Sequence, residues 1–295
     1  MGRTRRLLPL IVAAIALLAP LHAAAGRSFL WKATGKGSPG GVVYLAGSVH
    51  MLSHDYYPLN PAVETGFRDS DLLVEEVDLN EMLAPASQLQ TLMRGMLPAG
   101  QSLDKLLSPA TLALVNKFTT GLGDASEPLK RFKPWMLAIA IEGLELQKNG
   151  FDPNLGLDKH FFDLAQAQGK TVQGLETVEY QISRFDEMSM EQQDRFLGDT
   201  LKELDTEKAS VTKLADAWRS GDAPAVERIV LADLKSDAAM YQRLLVERNR
   251  NWLPALEALF SRRGHAFVVV GAAHLVGPDG LLQMLKAKGY AVEQL

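Results

Sequence analysis

The sequence predicts an α/β protein: a central, mixed and largely parallel sheet formed by strands near the two ends of the chain, with a large helical middle packed on it as a cap or lid. Three observations carry this expectation. The apolar runs at 42–46, 71–78 and 266–270 are short and nearly continuous, as buried strands are. A helical stretch joins the first run to the second, and strand–helix–strand is the order of a crossover between parallel strands. From about residue 81 to residue 263 helical patterning rich in Leu, Ala and Met dominates, so the sheet closes only when the last strands return to the first.

In chain order, 29–33 and 42–46 read as a hairpin around a Gly-rich loop at 35–41. That loop lacks the Lys-Ser/Thr ending and following helix of a phosphate cradle, and reads as a plain turn. Asn60 is a good N-cap and Pro61 a good first helical residue, starting a helix that runs to about Ser70. The helix feeds strand 71–78, which is expected to lie directly beside 42–46. Pro98, Pro109, Gly121, Gly123, Pro128 and Pro134 break the helical middle, within which 154–169 reads as a helix and 170–175 as a short strand. A second helical span, 189–263, is interrupted at Gly221, Pro224 and Pro254. Strand 266–270, helix 280–288 and strand 290–294 close the chain.

Residues 1–25 read as an export signal rather than as part of the fold. Arg3, Arg5 and Arg6 precede an apolar stretch at 7–18, and Ala23, Ala24 and Ala25 supply the small residues of a cleavage site. The Arg5-Arg6 pair raises a twin-arginine route. An uncleaved anchor is the plainer alternative, but the apolar run falls short of a span of about 20 residues. The remaining chain, 26–295, reads as one α/β domain with a helical insertion at about 81–263, located in a periplasm or secreted.

A formal charge of −4, more negative once the three arginines are removed, argues against nucleic acid as partner. The sequence has no cysteine, which excludes a thiolate nucleophile and thiolate metal ligands. No later stretch reaches 18 apolar residues, so no stable membrane span is expected after cleavage. No serine has the Gly-x-Ser-x-Gly setting of a hydrolase nucleophile.

The candidate site comes from a layout that occurs twice. Residues 44–50, Tyr-Leu-Ala-Gly-Ser-Val-His, and 268–274, Val-Val-Val-Gly-Ala-Ala-His, each end a strand on glycine and deliver a histidine three residues later. Gly47 and Gly271 suit a sharp turn or a close backbone approach, which would aim His50 and His274 over the carboxyl edge of the sheet, where open α/β sheets bind ligands. Glu75 and Glu76 lie in a buried run whose side chains alternate between faces, so one of them points toward that edge. A buried strand carboxylate is costly unless paired or metal-bound; a structural ion pair with an arginine is the plain alternative. Two imidazoles and a carboxylate suit a divalent transition metal, zinc, manganese or cobalt, that activates water. The same trio can work without metal, a carboxylate as base and a histidine as acid. The loop at 51–59 places His54 and Tyr57 beside His50 as candidate substrate contacts. Asp158 opens a helix, where an acid is favourable in any case, and Glu176 follows a short strand, where it can hold a helix amide or enter the site.

These stretches, together with Asp-Leu-Leu-Val-Glu-Glu-Val-Asp-Leu at 71–79, Gly-Leu-Glu-Thr at 174–177, Glu-Arg-Asn at 247–249 and Gly-Pro-Asp-Gly-Leu at 277–281, resemble the TraB/GumN family over essentially all of the chain after residue 25. That family includes the Tiki proteins, metal-dependent proteases acting on secreted ligands. The resemblance implies that His50 and His274 are the motif histidines and that Glu76, in Glu76-Val77-Asp78-Leu79, is the motif glutamate and a metal ligand with them. It brings Arg248 and Asn249 to the site, Arg248 as a stabiliser of developing negative charge, and it includes Asp158. The implied activity is an exported metal-dependent hydrolase cutting peptide bonds, with a peptide or small secreted ligand as partner. A periplasmic protein that binds or sequesters such a ligand without cutting it is the alternative.

Overall fold

A computed structural model describes residues 26–35 and 40–295. The export signal at 1–25 and most of the Gly-rich loop lie outside the described residues. Six strands form one sheet: β1 (Leu30–Thr34), β2 (Val42–Ser48), β3 (Leu72–Val77), β4 (Thr171–Glu176), β5 (His265–Gly271) and β6 (Ala291–Gln294). Their order is β4-β3-β5-β2-β1-β6. The four strands from β4 to β2 run parallel, while β1 pairs antiparallel with β2 and β6 antiparallel with β1. The α/β class and the predominantly parallel, end-to-end sheet are therefore as the sequence predicts.

Two details differ. β2 and β3 are parallel but not adjacent, because the crossover through helix Pro61–Arg68 skips one position and β5 fills it. That slot is the most buried in the sheet, and β5 meets it with Ala266 to Val270, none of them measurably exposed. The short strand expected at 170–175 is present as β4, and it reaches out of the helical middle to pair with β3 at the sheet edge, so the sheet is not built from the chain ends alone.

The helices start and stop where the sequence provides caps. Asn60 accepts the amide of Ala62 with Pro61 at the first helical position. Ser189 and Gln192 form a reciprocal capping box on the long helix Met190–Arg219, and Gly169, at φ 64°, ends helix Leu157–Gln168 in the left-handed conformation. One face of the sheet is sealed by a three-ring cluster, Phe67, Phe161 and Phe267, with centroids 4.7–5.6 Å apart. The helical middle has a smaller core of its own, in which Leu137, Ile141 and Leu197 are fully buried.

Candidate active site

At the carboxyl edge Ser48 pairs with Gly271 and Val77 with Glu176, so four parallel strands deliver polar groups to one place. Gly271 sits at its centre. A Cβ added there would lie 3.1 Å from Glu76 Oε1, 3.5 Å from His50 Nε2 and 3.6 Å from His274 Cδ2. The two histidines and the glutamate named by the sequence therefore surround one backbone position. Neither Gly47 nor Gly271 has positive φ. Glycine is needed here for close approach, since a Cβ on Gly47 would strike the Phe29 ring at 2.3 Å.

Strand alternation separates the paired glutamates. Glu76 faces helix Glu247–Leu259, where its Oε1 accepts the Gly271 amide at 2.7 Å and its Oε2 accepts Arg248 Nη2 and Gln181 Nε2. Burial pushes this carboxyl up, but the Arg248 charge, with smaller contributions from His274, His50 and the Gly271 amide, outweighs it and holds it well below the usual carboxylate range. Glu75 is only 2% exposed, and among the described residues neither of its oxygens has a hydrogen-bond partner. Its carboxyl is raised to about 9, chiefly by burial.

Arg248 holds the network together. Its Nε and Nη2 donate to Glu176 at 2.7–3.2 Å, its Nη2 also reaches Glu76, and its Nη1 donates to His274 Nε2 at 3.0 Å. Nη1 also donates to the Leu244 carbonyl, which lies in a π-helical turn, Gln242–Val246, just before Arg248. Trp252 stacks under the guanidinium at 4.6 Å and donates its Nε1 to Glu176 at 2.8 Å. Glu176 thus anchors Arg248 and caps no helix; Thr177 caps the helix that follows.

The two histidines occupy different environments. His274 is buried, with Nδ1 2.7 Å from the side-chain oxygen of Asn249. An amide oxygen only accepts, so Nδ1 carries the proton and Nε2 is left to accept from Arg248. Burial, aided by the Arg248 charge, lowers its pKa to about 3, so the ring is neutral. His50 is 65% exposed, and its Nδ1 lies 2.9 Å from Asp158 Oδ2, which also accepts Ser48 Oγ at 2.5 Å. Asp158 raises His50 to about 9. The Nε2 of His50 is turned toward the space beside Gly271.

A cavity of about 520 Å³ opens beside these groups, lined on its polar side by His50, Glu75, Glu76, Asp158 and Gln181 and on its apolar side by Val77, Leu79, Met82 and Leu83. His274, Arg248 and Asn249 stand outside this lining. Asn249, fully buried, braces His274 and donates to the Asp279 carbonyl rather than meeting a ligand. Tyr57 donates to the Leu155 carbonyl at 2.8 Å and packs on His160, while His54 is exposed; neither lines the cavity.

Ser48, Gln181 and Trp252 were not singled out by sequence reasoning. Ser48 sits inside the first Gly-x-x-His stretch, where the alternation of β2 could have pointed to it; Gln181 and Trp252 lie on helices with no local signal.

Two of the donors that the resemblance assigns to a divalent metal, Glu76 and His274, are engaged with Arg248. The lone pair of His274 Nε2 is directed at Arg248, and Glu76 and Glu176 already share that same cation. Among the described residues no group of three or more His, Asp or Glu side chains is placed to hold a metal ion. In this arrangement the donors do not fit a metal; a guanidinium takes the central cationic position.

Comparison with known proteins places the chain. YbaP of Escherichia coli (strain K12), an uncharacterized protein, is 27% identical over 265 residues, covering 88% of this chain and 94% of YbaP. YbaP of Shigella flexneri matches to the same extent, and an uncharacterized protein of Treponema pallidum (strain Nichols) is 22% identical over 263 residues, covering 85% of this chain and 78% of its own length. No solved structure matches. The TraB/PrgY/gumN family model matches residues 29–294, and the chain belongs to that family.

Proposed function

We propose that the protein is an exported hydrolase that cleaves peptide bonds, with Glu76 and His50 as the reacting pair. The observation that carries this reading is their placement. An ionised carboxylate and an imidazole with one nitrogen anchored on Asp158 share the wall of one open cavity, on either side of Gly271. Glu76 would take a proton from water as the water oxygen attacks the substrate carbonyl. His50 Nε2–H would give its proton to the leaving nitrogen as the C–N bond breaks, and Glu76 would then return the first proton through solvent. Near neutral pH the carboxylate is ionised and the imidazole protonated, the forms that a base and an acid need at one pH. His274, Arg248, Glu176 and Asn249 are positioning residues that fix the Glu76 carboxylate.

The test is cleavage of a peptide library by the purified protein, with and without a chelator, alongside metal analysis and fractionation of the cells that make it. Cleavage that survives the chelator, by protein recovered outside the cytoplasm, supports the reading. Cleavage abolished by the chelator and restored by zinc, manganese or cobalt would require Arg248 to leave its position for a metal. Binding of peptides without cleavage under any condition would make the chain a ligand-binding protein.

A further inference from the structure

We propose that the cavity beside His50 is a side-chain pocket for a basic residue of a peptide, with an aliphatic stem along Val77, Leu79, Met82 and Leu83 and an ammonium or guanidinium tip at Glu75. This deepens the peptide-hydrolase reading and rests on it for the identity of the ligand. Three carboxylates line the cavity, and two are engaged: Asp158 by Ser48 and His50, Glu76 by Gly271, Gln181 and Arg248. Among the described residues Glu75 alone of the three has no hydrogen-bond partner, although it is only 2% exposed and part of the lining. The Leu79 amide lies close enough to pull its pKa down a little against burial, without meeting the geometry of a hydrogen bond. A buried carboxyl with both oxygens unmet is costly, and a ligand that repays the cost must bring donors.

The rest of the lining selects the kind of donor. Lys159, the one lysine in it, is committed to Asp163 at 2.5–2.7 Å. His50, the other cation of the lining, is held on Asp158, so neither cation serves Glu75; an ammonium or guanidinium, which brings donors and no acceptor, suits its two unmet oxygens better than an amide does. The apolar part of the lining, Val77, Leu79, Met82 and the exposed Leu83, matches a methylene stem. A volume of about 520 Å³ accommodates such a side chain with part of its backbone.

The probe is n-butylammonium, titrated calorimetrically into the mature protein, with butyramide as its uncharged counterpart. Butylammonium should bind, butyramide should not, and Glu75→Gln, isosteric and checked for folding by circular dichroism, should weaken binding by about tenfold or more. Leu83→Trp, at a position 44% exposed and so no threat to the fold, should close the apolar wall and weaken binding too. Equal affinity of wild type and Glu75→Gln, or equal binding of butyramide, overturns the pocket. Binding of the free amine but not of lysine-containing peptides overturns the peptide as its occupant. Cleavage without preference for Lys or Arg overturns the pocket while leaving the hydrolase intact. Butylammonium binding without cleavage of any peptide leaves the pocket and removes the hydrolase.

Discussion

His274 turns its Nε2 to the guanidinium of Arg248, 3.0 Å from Nη1, so this motif histidine spends its lone pair on an arginine of the same chain. Its other nitrogen is held by Asn249, whose side-chain nitrogen also donates to the carbonyls of His274 and Asp279. Replacing Asn249 by leucine keeps the volume but leaves several buried polar groups unmet, each worth about 1–3 kcal/mol. Urea unfolding of Asn249→Leu should show a lower midpoint with an unchanged slope; an unaltered midpoint would mean that Asn249 does not fix the ring.

Arg248 is the second case. It is 10% exposed in its side chain and bridges Glu76 and Glu176, which are 11% and 4% exposed. Arg248→Ala strands two buried carboxylates and should cost about 3–5 kcal/mol. Arg248→Lys should recover little, because an ammonium cannot span two carboxylates and an imidazole as a planar fork does. Adding Glu176→Gln to Arg248→Ala should restore part of the loss, a coupling that a double-mutant cycle by thermal unfolding reads directly.

The pairing of His50 with Asp158 sets a pH signature. Its folded pKa of about 9 lies above the ordinary 6.5, so the pair's stabilising contribution is fully present below about 6.5 and disappears as pH rises through about 9. NMR titration of the ring should find a midpoint near 9, and Asp158→Asn should bring it down toward the ordinary value. A midpoint that Asp158→Asn leaves unmoved would separate the two residues.

Much of this was legible in the sequence because it is local. The strand–Gly–x–x–His layout names His50 and His274, the carboxylates inside a buried run name Glu75 and Glu76, and the caps of Asn60 and Pro61 place a helix. What was not legible is long-range. That β5 inserts between β2 and β3 depends on a strand almost 200 residues away, and no local pattern fixes which slot it fills. Asp158 looks like any acid in a first helical turn until His50 is seen at 2.9 Å. The dominance of Arg248 was hidden for the same reason: its partners Glu76 and Glu176 come from strands 172 and 72 residues away.

The proposed hydrolysis needs His50 as a reacting group at an open position rather than a structural one. The direct measurement is the rate of peptide cleavage by His50→Ala beside its thermal midpoint. With a side chain 65% exposed, the variant should remain folded, its midpoint falling only by what the Asp158 pair supplies and matching that of Asp158→Asn, while losing about 10²–10⁴-fold in rate. Cleavage at the wild-type rate by a folded His50→Ala protein would contradict the proposal.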